Sequence, residues 1–306
     1  MSKFKLSVLL LVAVVSVFRV GYGAGPESQG ATTKASGPKF RTDFVLDVEI
    51  QKPNRQYSMA EPIRPDVAPG CDLEIPAGYE WTISLDEYSL VDLSRLVDQL
   101  NKFHRSGGPM PAIELYGFPL IDSDYKAMAR IEGSWKLWIS GTGMSVVDDS
   151  SLAKIAKLKN LTGLTLWGNT AVTDAGIKHL VGMENLTSLN ISKCRGLTDI
   201  ALAHIGRLKR LAELKVPWKG KFTVAGFKSL SGMTKLRSLD VSADREYFDR
   251  GPTYIDARLL GNEILIPISK LRSLEELDLS GNSKISDAGM GHLVSLRRLK
   301  RLQLGG

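Results

Sequence analysis

The sequence predicts an α/β solenoid, a stack of one strand-and-helix unit upon copies of itself. Three observations carry that expectation. Leu164, Leu189, Leu214 and Leu239 stand 25 residues apart, and Leu277 and Leu302 repeat the step. Each opens an alternating triplet, as in Leu164-Thr165-Leu166, Leu189-Asn190-Ile191 and Leu277-Asp278-Leu279. Behind the clearest triplet, Ile177, Leu180 and Met183 return at helical spacing. A fixed period of this size marks a repeat array whose members bury one continuous core.

The chain begins unlike the rest. Lys3 and Lys5 precede a 13-residue apolar run from Leu6 to Phe18, followed by Arg19 and the small-residue stretch Gly21-Tyr22-Gly23-Ala24. That order reads as a secretory signal peptide over residues 1–23. The run is too short to span a bilayer, which needs about 20 residues. Arg19 so near the core leaves an uncleaved anchor as the alternative, and it is the only route to a membrane that the sequence offers. The expected location is therefore secreted, periplasmic or in the cell envelope. Without Lys3, Lys5 and Arg19 the formal charge falls from +7 to 37 basic against 33 acidic residues. No basic run stands out, so a nucleic-acid partner is not expected.

Residues 24–40 are rich in Gly, Ser, Thr and Pro and read as a flexible linker. Over 41–80, Phe44 to Ile50 alternates like a strand, but Pro53, Pro62, Pro65, Pro69 and Pro76 interrupt the rest of the segment. An irregular extension leaning on the solenoid is expected there. Residues 81–109 predict a cap. Trp81 to Leu85 alternates as a strand, and Leu90, Leu93, Leu96, Val97, Leu100 and Phe103 keep helical spacing until Gly107-Gly108-Pro109. A terminal unit needs one face unlike the others because nothing stacks beyond it.

Repeats occupy residues 110–306. Ile113-Glu114-Leu115 and Leu137-Trp138-Ile139 open two divergent copies ahead of the regular ones. In each copy the first leucine points inward and the middle residue outward. Asn169 is expected to bond the turn after its strand. Asp149, Asp174, Asp199 and Asp287 are expected to cap the helices, with Thr223 serving in the copy that carries Val224. Cys194 takes the place of Asn169 in its repeat and reads as a buried consensus side chain. With Cys71 it makes no disulfide framework. The last triplet is followed only by Gly305-Gly306, which predicts an open edge that frays, is covered by another subunit, or ends a truncated product.

Three runs carry a family resemblance: Val172-Thr173-Asp174-Ala175-Gly176-Ile177-Lys178-His179-Leu180, Leu197-Thr198-Asp199, and Ile285 through Leu293. They resemble leucine-rich repeats of the cysteine-containing, ribonuclease-inhibitor-like class. The class cysteine appears once, at Cys194. The resemblance implies an α/β leucine-rich-repeat solenoid with strands on a concave face and helices on a convex one. With the leader, it points to the secreted bacterial kind, a non-catalytic scaffold that recognises a protein or another extracytoplasmic ligand. The alternative it implies is an intracellular substrate adaptor resembling F-box-type proteins, which requires that Leu6–Phe18 not be a signal.

No residues announce chemistry. His179, His204 and His292 share one repeat position, but Ser229 replaces them in the fourth copy and no carboxylate column joins them, so no metal is expected. There is no nucleophile elbow and no phosphate-cradling loop, so neither catalytic residues nor a cofactor are expected. Binding candidates are the outward positions. Tyr116, Trp138 and Trp167 gather on the N-terminal copies, and Lys215, Asp240 and Asp278 lie further on. Bare aromatics are enriched at binding hot spots. Cover by the 41–80 extension is the competing explanation for them. A second candidate is an insertion near 243–258, because Leu239 to Leu277 spans 38 residues. It carries Arg245, Tyr247, Phe248, Arg250 and Tyr254.

Overall fold

The computed structural model describes residues 38–52, 65–141, 147–217, 221–243 and 260–305. The leader, nearly all of the linker and the insertion with its five candidate residues lie outside them. Thirteen strands and eight α-helices are assigned among the described residues. Strands β1 (Lys39–Arg41), β2 (Leu46–Gln51), β3 (Asp66–Val67) and β4 (Asp72–Glu74) come from the extension. The cap supplies β5 (Glu80–Asp86) and helix α1 (Leu93–Arg105). The repeats supply β6 (Ala112–Tyr116), β7 (Trp135–Ser140), β8 (Leu161–Thr165), β9 (Ser188–Asn190), β10 (Glu213–Lys215), β11 (Ser238–Asp240), β12 (Glu276–Asp278) and β13 (Arg301–Gln303). Between them run α2 (Asp122–Met128), α3 (Asp149–Ile155), α4 (Asp174–His179), α5 (Asp199–Ile205), α6 (Val224–Ser229), α7 (Leu265–Ile268) and α8 (Asp287–Met290).

From β5 to β13 each strand lies parallel to the next, in chain order, with helical segments in the connections. This is an α/β leucine-rich-repeat solenoid. Leu164, Leu189, Leu214, Leu239 and Leu277 pair in one row and are at most 2% exposed. Each such side chain is worth about 1.5–3 kcal/mol when fully buried. Leu239 pairs directly with Leu277 despite the longer step. The insertion therefore leaves the ladder intact, and the ordinary coil resumes at Leu260, whose N–H donates to Asn282 Oδ1.

Where it is described, the extension is ordered rather than irregular. Strand β2 pairs antiparallel with β5, and β3 pairs with β2, so both continue the main sheet. Alternation of Leu46, Val48 and Ile50 supplies the buried face. Strand β1 begins inside the stretch read as linker. It pairs with β4 and drives Phe40 onto Trp81 and Phe103, with ring centroids 5.1 and 5.6 Å away. These rings seal the core of the cap, and Trp81 Nε1 donates to Pro109 O.

Leu90 is not part of the cap helix. Asp92 caps α1 by accepting from the N–H groups of Ser94 and Arg95, and Leu90 lies before it, 83% exposed. The aspartates of the repeats are also displaced from their expected role. The caps are Asp148, Thr173 and Thr198, each one residue before the expected aspartate, while Thr223 caps its helix as expected. Three backbone and hydroxyl bonds from Ser151 and Ser150 hold the Asp148 carboxyl down to about 2. Each following aspartate, at the first helical position, instead reaches into the next coil.

Asp174 accepts from both the N–H and the hydroxyl of Thr198, at 2.9 and 2.6 Å, and Asp149 and Asp199 do the same to Thr173 and Thr223. The threonine hydroxyl then accepts from its own helix, for example Ile200 N–H. In the last such step Asn262 takes the aspartate's place and donates its Nδ2 to Ser286 Oγ. Ser286, in contrast, makes no cap bond. Asn169 likewise works between coils: Nδ2 donates to Ile139 O, and Oδ1 accepts from Val147 N–H.

Candidate binding face of the sheet

Strand alternation turns every second residue of β5 to β13 away from the core. The register then sorts these residues into rows. The middle row runs Ser84, Glu114, Trp138, Thr165, Asn190, Lys215, Asp240, Asp278 and Gln303. In the next row Asp86 pairs with Tyr116, and Tyr116 with Ser140. Gly141 N–H donates to Trp167 O at 2.8 Å and Gly168 N–H to Ser192 O at 3.1 Å, which extends that row through Trp167 to Ser192.

The three aromatic candidates thus meet on adjoining strands. Tyr116 and Trp167 flank the small, buried Ser140, with backbones about 9.6 Å apart, two strand spacings. Trp138 stands two residues before Ser140 on β7, between Glu114 and Thr165. Tyr116 is 41% and Trp167 36% exposed, while Trp138 is half-buried. The described part of the extension is placed elsewhere: β2 and β3 continue the sheet beyond β5, and β1 and β4 form a separate pair that sends Phe40 into the cap core. Instead, Lys193 covers Trp167, its Nζ 4.1 Å from the ring centre.

The row is acid-edged at its N-terminal end. Ser84 Oγ donates to Glu114 Oε2 at 3.3 Å, and the Tyr116 phenol bonds the same carboxylate. Burial raises Glu114 above the ordinary carboxylate range. Glu49 and Asp47 add to the rise, and the two hydroxyl bonds oppose it. Burial, followed by the Glu114 bond, pushes the Tyr116 phenol upward as well. Asp47 and Glu49 belong to β2, whose alternation Leu46-Asp47-Val48-Glu49-Ile50 puts both acids on one face. That signal was present in the sequence but lay within a proline-broken segment.

The remaining candidates have partners of their own. Lys215 and Asp240 are register neighbours and form an ion pair at 2.8 Å. Asp240 and Asp278 also accept the N–H of Ser242 and Ser280, fastening the turns after their strands, as Asn190 does for Ser192. Asp240 and Asp278 thus serve the turns after their strands. Arg245, Tyr247, Phe248, Arg250 and Tyr254 fall outside the described residues. Among those residues, no three His, Cys, Asp or Glu side chains converge to hold a metal.

Residues 270–294 match the leucine-rich-repeat family model. No curated protein matches the sequence. Among solved structures, the chain is similar to an internalin (inlF) from Listeria monocytogenes, with 22% identity and a TM-score of 0.42 over 71% of this chain and 58% of that one. It is also similar to an internalin C2 (inlC2) of the same bacterium, with 21% identity and a TM-score of 0.44 over 73% and 80%. A third similarity is to the yeast Rad7 and Elc1 complex, with 18% identity and a TM-score of 0.43 over 73% and 62%. The chain thus spans less than two thirds of the first of these proteins.

Proposed function

We propose that this leucine-rich-repeat chain is a non-catalytic scaffold that acts outside the cytoplasm and recognises a protein through the open face of its sheet. One observation carries the reading: Tyr116 and Trp167 stand exposed on either side of a small serine, with Trp138 beside them. Rings held in place by a rigid ladder offer large contact area at little entropic cost, as binding hot spots require. Export rests on Lys3, Lys5, the Leu6–Phe18 run and the small residues before Ala24.

Two measurements test this. Fractionation should find mature protein starting near Ala24 outside the cytoplasm. A cytoplasmic, full-length chain would favour the adaptor reading. A partner recovered from the envelope fraction should bind the Trp138→Ala/Trp167→Ala variant at least about tenfold more weakly, with thermal stability nearly unchanged. Unchanged binding sinks the assignment of this face. A large loss of stability would mean the rings are packing residues.

A further inference from the structure

The aromatic row ends against negative charge, and the charge is arranged rather than scattered. Asp47 is opposite Ser84, Ser84 is opposite Glu114, and Glu114 is opposite Trp138. Two carboxylates thus flank one small hydroxyl, and two rings adjoin the second carboxylate. Elsewhere on the face Asp240 is paired with Lys215 and Glu276 with Arg301. Among the described residues no base pairs with Asp47 or Glu114. The nearby Lys136, two residues before Trp138, is drawn to Glu80 at 3.6 Å.

We infer that this end of the face seats a cationic side chain, arginine or lysine, carried by an extended, apolar-flanked segment of a protein partner. The inference rests on the proposed binding role of this face and names the chemistry of its partner. Charge complementarity is the first argument. A half-buried Glu114 pressed by Asp47 and Glu49 is relieved by an incoming cation, and the adjoining Tyr116 and Trp138 rings attract the same charge. The second is that an aromatic ring in the neighbouring row of this face already holds a cation, Lys193 on Trp167. The apolar flank is supplied where β2 and β5 meet. Val45 precedes β2, while Tyr88 and Leu90 come after Asp86, the residue paired with Tyr116. They are 75, 77 and 83% exposed.

The test uses the mature full chain and two fluorescein-labelled decapeptides of identical apolar residues, one with arginine and one with glutamate at every second position. Anisotropy titration should show the arginine peptide binding about tenfold more tightly, weakening as salt rises. Glu114→Gln with Asp47→Asn should weaken it about tenfold, with circular dichroism unchanged and melting no lower than the parent's. If the double variant misfolds, the nearly isosteric Glu114→Gln alone carries the test.

Binding of neither peptide, equal binding of both, or an arginine peptide indifferent to these variants overturns the cationic seat. The reading of the face itself is judged separately, by whether Trp138→Ala/Trp167→Ala loses the envelope partner.

Discussion

Lys193 Nζ lies 4.1 Å from the centre of the Trp167 ring, and Lys193 reaches it from a left-handed backbone, φ 62°. Other coils place glycine in the turn after this row: Gly117, Gly168 and Gly281 have φ of 63, 75 and 76°. Among the described residues Lys193 is the one non-glycine with positive φ. That conformation costs a side chain about 1–2 kcal/mol, while an exposed cation–π contact returns about 0.5–1 kcal/mol.

The two effects separate by substitution. Lys193→Ala keeps the strain and loses the contact, so it should destabilise by about 0.5–1 kcal/mol. Lys193→Gly loses both, so it should be about 1 kcal/mol more stable than Lys193→Ala and close to the parent. Urea denaturation of the three proteins measures this order. Equal stability of the two variants would show that the backbone there is unstrained.

The ladder between coils predicts an inverted glycine effect. A helical Gly→Ala change ordinarily gains about 1 kcal/mol. In α6, however, a Cβ on Gly226 would meet the Asp199 carboxylate and Leu202 Cδ1. Asp199 is held in place by Thr223. Gly226→Ala should therefore destabilise, by about 1–3 kcal/mol. Adding Asp199→Ala should cost less than the separate losses suggest, since part of the clash goes with the carboxylate. A stabilised Gly226→Ala protein would contradict the close approach.

These details show how much of the fold was legible in the sequence. The 25-residue step sets strand, register and core together, because one inward leucine per coil must meet its copy in the next. Alternation about Trp138, Tyr116 and Trp167 placed them outward for the same reason. Aspartate in a Thr-Asp pair reads as a cap from propensity alone. Only the neighbouring coil reveals that the threonine caps and the aspartate staples. The extension was obscured by its prolines, although Leu46 to Ile50 alternates well enough to mark a strand edge with Asp47 and Glu49 on one side. Leu90 fits a helical pattern, and Asp92 stops it by starting the helix later.

Thiol chemistry offers a third check. Cys194 is fully buried, donates to Leu166 O at 3.0 Å, and has its thiol pushed up to about 12 by burial. It supplies the donor that Asn169 and Asn282 supply in other coils. Cys71 is exposed, and the two are not bridged. Native protein at neutral pH should thus react with one equivalent of an aromatic disulfide reagent, and denatured protein with two. Two fast equivalents in the native state would mean that the coil around Cys194 opens readily.

Glu114 gives the fourth prediction, and its sign comes from linkage. Burial raises its carboxyl in the folded chain above the unfolded value, with Glu49 and Asp47 adding to the rise. The unfolded chain then releases that proton more readily, so folding loses stability as pH climbs from the unfolded value through the folded one. Glu114→Gln removes the ionisation and keeps an oxygen to accept from Ser84 and Tyr116. The variant should melt higher than the parent at neutral pH. The gain should vanish once the pH falls below the ordinary carboxylate range, where both side chains are neutral. Melting curves across that range decide the matter. A Glu114→Gln protein that melts lower at pH 7 would mean that the ionised carboxylate stabilises the sheet, held there by the two hydroxyls more strongly than burial and the neighbouring acids oppose it.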